Sequence, residues 1–440
     1  MTDLFTEKRW TGEFFLPDSY EKRFCGEVHY SPDEGVILAY TITGHEVPGG
    51  TEVLHGVLSS GDKCTLIGQF APQGTNITFR SGFTTLPGKA GFLYLAIGDF
   101  LGHEERFVDL DFSLTNLQEF FYSSGFKDFV KYSEKPIYSV DTPFGRMEVG
   151  NTATFGILHS DIASHIYSQD QSALDELSLA FSEIKIKYPK SFFMLKKDIA
   201  YRIFLKFAPE ITIRDAYEHI TSISNLFALL IYNPVYPESI RLGKPGPDEH
   251  PITIELYPSM VLDPRTIKLS NRDHSHWRMP ITQSTVPLDA IITNWLRAPQ
   301  NHSPIVSSIQ HETGFRNAHA AHGEIILYAT QFESISYGDR HKSKKYEYPL
   351  ARYGNQKLRN ELMKTFGKSS VEDAAVAIGE LRDEIAHVGR PKRWLESLSL
   401  GQLVRISQYL QLTIIGYILT KIGVPENAVS TYQDRYSPDA

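Results

Sequence analysis

The segment Glu380-Leu-Arg-Asp-Glu-Ile-Ala-His-Val-Gly-Arg-Pro-Lys-Arg393 gathers groups that can move protons and hold phosphate. Imidazole transfers protons near neutral pH, and a guanidinium stabilises charge on a phosphoryl group in the transition state. Arg382 and His387, four residues between them, are therefore suited to metal-free RNA cleavage. In such a reaction the histidine would move protons at the 2′-hydroxyl or the leaving 5′-oxygen. Arg390, Lys392 and Arg393 follow at once, where they either hold phosphates or are simply solvated.

A helix must position these groups. Ala374, Ile378, Leu381, Ile385 and Val388 recur at helical spacing and form an apolar stripe, which leaves Arg382 and His387 off the core seam. Gly389 and Pro391 are stop signals, so His387 is expected in the last turn beside unpaired carbonyls. Those carbonyls favour an imidazolium, whereas neighbouring Arg and Lys oppose it. Five residues of ideal helix rotate by roughly 500°, setting the two side chains about 140° apart. The site then closes only if the last turn is distorted or if two subunits bring their pairs together across a cleft; the second is the expectation.

Spacing alone proves little. With the arginines and histidines of this chain, chance gives about two pairs with four to six residues between them, and the sequence has five. Arg23/His29 lies in β-rich sequence and Arg297/His302 spans a proline. Arg214/His219 flanks an amphipathic stripe and reads as an ordinary helix face, while Arg316/His322 opens a helix and is the real competitor.

Other motifs carry less. Asp273-His-Ser-His276 with His311, His319 and His322 has no thiolate or internal Glu to complete a zinc pattern, so packing histidines and no metal are expected. Trp277 and Trp394 are expected to be buried rather than stacked on bases. The basic run Gly338-Asp-Arg-His-Lys-Ser-Lys-Lys345 reads as a solvated loop, with phosphate contact the alternative. No Gly-rich phosphate loop or nucleophile elbow is present, and no cofactor is implied.

The chain has 440 residues, enough for two to four domains with real cores, and 41% hydrophobic and 22% charged residues make it globular rather than disordered. Residues 1–145 read as a β-rich N-terminal domain. Phe107–Leu114 alternates strictly, and Pro32-Asp-Glu-Gly35 and Gly88-Lys-Ala-Gly91 supply turns. Residues 146–284 read as an α+β middle: Tyr201–Phe207 suits a strand, and Ala216, Ile220, Ile223, Phe227 and Leu230 form a helical stripe. Leu242–Pro251 is expected to be a loop and Ile252–Tyr257 a strand. Residues 285–440 read as all-α, with helices over about 318–336, 353–366, 370–388 and 399–421 packing as a four-helix bundle. Ser369–Glu372 and Ser399–Gln402 fit the capping box.

Net charge is −8, but residues 301–440 hold 17 basic and 15 acidic side chains against 27 and 37 before them, so a polyanion site is expected in the last third. No apolar run approaches the roughly 18 residues of a membrane span. The opening Met-Thr-Asp-Leu-Phe-Thr-Glu lacks the character of a secretory signal. Cys25 and Cys64 are too few for a disulfide framework, and a reducing cytoplasm is the expected setting.

Leu381-Arg-Asp-Glu-Ile-Ala-His-Val-Gly389 resembles the signature of HEPN ribonucleases, and the C-terminal helical pattern, with this motif on the third helix, resembles their fold. Gly12-Glu-Phe-Phe-Leu-Pro17 and Phe24-Cys-Gly-Glu-Val-His-Tyr-Ser-Pro-Asp-Glu-Gly35 resemble the amino-terminal region of ApeA-type anti-phage proteins. The resemblance touches roughly residues 10–45 and 318–421. It implies a bacterial defence ribonuclease that pairs with a second copy through its HEPN bundle and cuts cellular RNA, such as tRNA, after a phage-derived trigger. It also implies that Arg382 and His387 are catalytic and that Asp383, in the polar position after the arginine, orients by hydrogen bonding. A HEPN bundle used only for dimerisation, beside a domain that senses a phage product, is the alternative.

Overall fold

The computed structural model describes residues 3–44, 49–72, 78–80, 83–121, 132–158, 162–244, 252–270, 276–297, 318–387 and 389–437. The first eight strands are Lys8–Phe15 (β1), Phe24–Ser31 (β2), Gly35–Thr43 (β3), Thr51–Leu58 (β4), Lys63–Phe70 (β5), Thr78–Arg80 (β6), Phe83–Phe92 (β7) and Tyr94–Ile97 (β8). Their neighbour order is β8-β5-β4-β1-β2-β3-β7-β6, every pair antiparallel. Only Leu93 separates β7 from β8, and its amide donates to Ile67 O at 2.8 Å. Since β7 pairs with β3 and β8 pairs with β5, the strands close on themselves as a barrel.

Aromatic rings fill the barrel. Phe24 stacks on Phe70 at 5.7 Å, Phe70 on Phe92 at 6.3 Å, and Tyr40 meets Phe70 edge-on at 5.3 Å. Glycines leave room for them: a Cβ at Gly56 would lie 2.6 Å from the Phe14 ring, and one at Gly88 2.4 Å from the Tyr40 ring. Gly88–Gly91 is therefore not the turn expected from its glycines but the interior of β7, thinned to admit a tyrosine.

The sheet continues beyond the barrel through β8. The further elements are Arg106–Leu114 (β9), Leu117–Phe121 (α1), Tyr138–Thr142 (β10), Gly145–Ile157 (β11), Gln171–Lys187 (α2), Met194–Thr212 (β12), Ile213–Ile231 (α3), Pro237–Lys244 (β13), Ile252–Pro258 (β14), Pro264–Ser270 (α4) and Leu288–Arg297 (α5). Strands β10-β11-β12-β9-β13-β14 join β8 in that order, making one sheet of 14 strands among the described residues. The 145/146 division drawn from the sequence falls at the turn of the β10–β11 hairpin, so the β-rich and middle segments share this sheet. Leu110, Phe112 and Leu114 of β9 are buried, as are Ala216, Ile220, Ile223, Phe227 and Leu230 of α3, which packs on β9 and β12. Leu242–Lys244, expected to open a loop, instead completes β13, because each pairs with β14; residues 245–251 lie outside the described set. Helix α5 packs on α3 and β10 and so belongs with the sheet.

The C-terminal region is helical, as expected: Ala318–Gly338 (α6), Glu347–Tyr353 (α7), Gln356–Phe366 (α8), Val371–Ala386 (α9), Arg393–Ser397 (α10), Leu400–Lys421 (α11) and Glu426–Tyr436 (α12). The four helices anticipated from the pattern are α6, α8, α9 and α11, and among the described residues α7, α10 and α12 accompany them. Helix α11 is the core member, packing on α6, α7, α8 and α12. Ser399 and Gln402 form the capping box at its start. The cap of α9 is Ser370, not Ser369: its hydroxyl oxygen accepts from Asp373 N at 3.1 Å. The helix expected over 353–366 starts later, because Gly354 is extended and Asn355 caps α8 through Leu358 N at 2.9 Å.

The two regions share a continuous core. Tyr432 Oη donates to Leu229 O at 2.7 Å, and Tyr436 lies against Tyr232 at 4.3 Å between ring centroids. Arg435 Nη2 donates to Trp277 O at 2.9 Å, and Asn294 Nδ2 to Ile422 O at 3.1 Å. No helix among the described residues is long and apolar enough to cross a membrane.

Candidate active site

The motif sits at the C-terminal end of α9. Ala374, Ile378 and Leu381 are fully buried, Ile385 is half-buried, and Val388 lies outside the described residues. This seam fixes the helix's rotation and leaves Arg382 half-buried on a flank. The helix ends at Ala386. His387 is its C-cap, with extended backbone (φ −120°, ψ 112°) and its amide donating to Asp383 O at 3.0 Å. The 140° separation expected of an ideal helix does not apply, because His387 has already left the helical path. Its imidazole is exposed and makes no hydrogen bond among the described residues.

Asp383 is where the site's charges meet. Arg382 Nη1 donates to Asp383 Oδ1 at 2.9 Å and Arg390 Nη1 to Asp383 Oδ2 at 3.0 Å. The Arg382 hydrogen bond holds the Asp383 carboxyl below the usual carboxylate range against the opposing effect of burial, and the charge of Arg390 adds to it. The same bond raises Arg382, with Tyr346, just before α7, and Glu333 of α6 contributing. Arg382 Nε is buried without a hydrogen-bond partner among the described residues.

Two residues that the sequence did not single out lie here. Tyr346 Oη donates to Glu333 Oε1 at 2.5 Å, and the Tyr346 ring sits where a Cβ on Gly379 of α9 would be, 2.9 Å from its nearest atom. In the basic segment before it, Arg340–Lys345 is exposed, with a 3-10 turn over Lys342–Lys344, whereas Asp339 is half-buried and bonded by Tyr353 Oη at 2.6 Å and Lys421 Nζ at 3.0 Å; the segment comes to the Arg382 flank through Tyr346. Its Lys344 pairs with Glu347 at 2.7 Å and its Lys342 covers the Tyr337 ring at 4.1 Å.

The family model for ApeA N-terminal domain 1 matches residues 9–295. The chain belongs to this family. The ApeA match ends within α5, so α9, which carries Arg382 and is capped by His387, lies beyond it. No curated protein and no solved structure matches the chain.

The remaining sequence candidates divide by environment. Arg390 and Arg393 are exposed, and the Arg393 guanidinium lies 5.3 Å from the centroid of the Trp394 ring. Lys392 is turned inward: Nζ donates to His387 O at 2.8 Å and also to Glu384 O. Trp394 is buried as expected, edge-on to Phe366 at 5.1 Å, but Trp277 is 68% exposed rather than packed. His276 is buried, with Nδ1 against Glu119 O at 2.7 Å, a packing role. Asp273, His311, Arg316 and His302 lie outside the described residues, and of the His319 side chain nothing is described. Arg23 pairs with Glu13 at 3.0 Å and His29 with Glu7 at 2.8 Å, so those two serve separate surface pairs.

Proposed function

We propose that this protein is an anti-phage defence endoribonuclease whose HEPN-type centre is Arg382 and His387. ApeA family membership supports the defence reading. The observation that carries the nuclease reading is the convergence of Arg382 and Arg390 on Asp383 beside the exposed His387 imidazole at an open helix end, with the Arg382 guanidinium held in place. In this reading Asp383 orients Arg382 toward the scissile phosphate, and His387 moves protons between the 2′-hydroxyl, the leaving oxygen and water. Internal attack by the 2′-hydroxyl leaves a 2′,3′-cyclic phosphate and a 5′-hydroxyl, needs no metal, and spares DNA. Exposed Arg390 and Arg393 extend the cationic surface along the RNA backbone. A second copy pairs through the helical region to complete the cleft. Structured cellular RNA such as tRNA is the substrate class, since its unpaired loops can be splayed into a site.

The test is to incubate wild type and His387→Ala with total bacterial RNA in excess chelator and analyse the fragment ends. Cyclic-phosphate ends from wild type alone are expected. Intact RNA from both, or cutting that stops with chelator, would sink this reading; the first would favour a binding protein.

A further inference from the structure

The chain after His387 does not leave α9; it folds back and is tied to it at three points. Lys392 Nζ donates to His387 O at 2.8 Å and to Glu384 O, carbonyls that the helix end leaves without intrahelical partners. Glu384, one turn before His387, is buried, and its Oε2 accepts from Trp394 N at 2.8 Å and Leu395 N at 3.1 Å. Trp394 Nε1 then donates to Glu380 Oε2 at 2.8 Å, another turn back along α9, while its ring packs on Phe366 of α8. Each tie joins a residue of α9 or its cap to one that follows Pro391. Among the described residues the His387 side chain has no partner of its own, so its backbone is what this brace fixes.

We propose that Lys392, Glu384 and Trp394 are positioning residues for His387: they set where the helix stops and hold the backbone at the turn from which the imidazole projects. This rests on the nuclease reading and changes the role of Lys392 within it. A lysine whose ammonium is spent on two carbonyls is a cap rather than a phosphate contact, which falls to Arg390 and Arg393. A misplacement of about 1 Å costs roughly 10²-fold in rate, so a brace of this kind sets kcat while leaving substrate affinity alone.

The experiment compares wild type, Lys392→Met, Glu384→Gln and the milder Trp394→Phe, each first shown to be folded by circular dichroism and thermal melting. In RNA cleavage, Lys392→Met is expected to lower kcat by about 10²-fold with KM and the salt dependence of RNA binding unchanged, and Lys392→Arg to restore part of the rate. In parallel, the His387 signal in a ¹³Cε1-histidine NMR spectrum, identified by its loss in His387→Ala, is expected to move in Lys392→Met and Trp394→Phe while the other histidine signals stay. Retained kcat with an unmoved His387 signal would overturn the proposal. So would a raised KM with a salt slope reduced by about one, which would make Lys392 a phosphate contact after all. If wild type cuts no RNA, the nuclease reading falls, and the NMR comparison still decides the brace.

Discussion

Arg214/His219 on α3 and Arg382/His387 on α9 have identical spacing and opposite fates. On α3 both residues stay within the helix. Arg214 points to solvent beside Glu218 at 3.4 Å, while His219 is half-buried against the Phe144 and Phe207 rings, centroids 4.1 and 5.8 Å away. Burial pushes the His219 imidazole below its ordinary value, with Asp215 and Glu218 opposing, so it is a neutral packing group. On α9 the helix stops one residue before the histidine, and Arg382 is drawn along the helix toward Asp383. Where the helix ends, rather than the interval between the two residues, separates a half-buried packing histidine from one that faces solvent.

The sharpest way to break this comparison is kinetic. Arg382→Ala or His387→Ala is expected to lower RNA cleavage by about 10²–10⁴-fold, whereas His219→Ala leaves the rate per folded molecule unchanged; equal losses would erase the distinction. Stability should reverse the order. In urea unfolding, His219→Ala is expected to cost about 1–3 kcal/mol for the ring packing lost against Phe144 and Phe207, and His387→Ala no more than about 0.5 kcal/mol. The pH dependence of unfolding sharpens it further. Because the folded state depresses His219, its contribution is full above the unfolded value near 6.5 and is lost as pH falls through the lower folded value. His219→Phe should remove that acid loss and His387→Ala should keep it, as pH-resolved denaturation would register. The smallest effect is electrostatic: Arg390→Ala is expected to reduce the salt slope of RNA binding by about one, and Arg214→Ala to leave it untouched.

Several elements were legible because one short interval determines them. The alternation of β9, the stripe of α3 and the Ser399–Gln402 box each depend on neighbours within a few residues, and the structure contains all three. The Ser370 cap slipped by one because Ser369–Glu372 and Ser370–Asp373 satisfy the same pattern, and the choice falls to tertiary packing. Gly88–Gly91 misled because glycine serves both a turn and a strand crowded by a ring from across the sheet. Barrel closure was illegible for a related reason: it needs β8 to find β5 across 23 intervening residues, and nothing local to either announces the partner. At the site, the types and order of Arg382, Asp383 and His387 could be read, but the inward turn of Lys392 could not, since it depends on the chain doubling back after Pro391.

The seam between sheet and helices bears on how the molecule can be taken apart. Tyr432 is fully buried with its hydroxyl on Leu229, and Tyr436 rests on Tyr232. Cutting the chain near Arg297 to isolate the helical region would bare this aromatic seam on both fragments, inviting aggregation from surfaces made to be covered. Truncations that destroy activity would then report lost solubility as readily as lost chemistry. The helical region is better dissected by point substitution in the whole chain, or freed only after Tyr432 and Tyr436 have been replaced by polar residues.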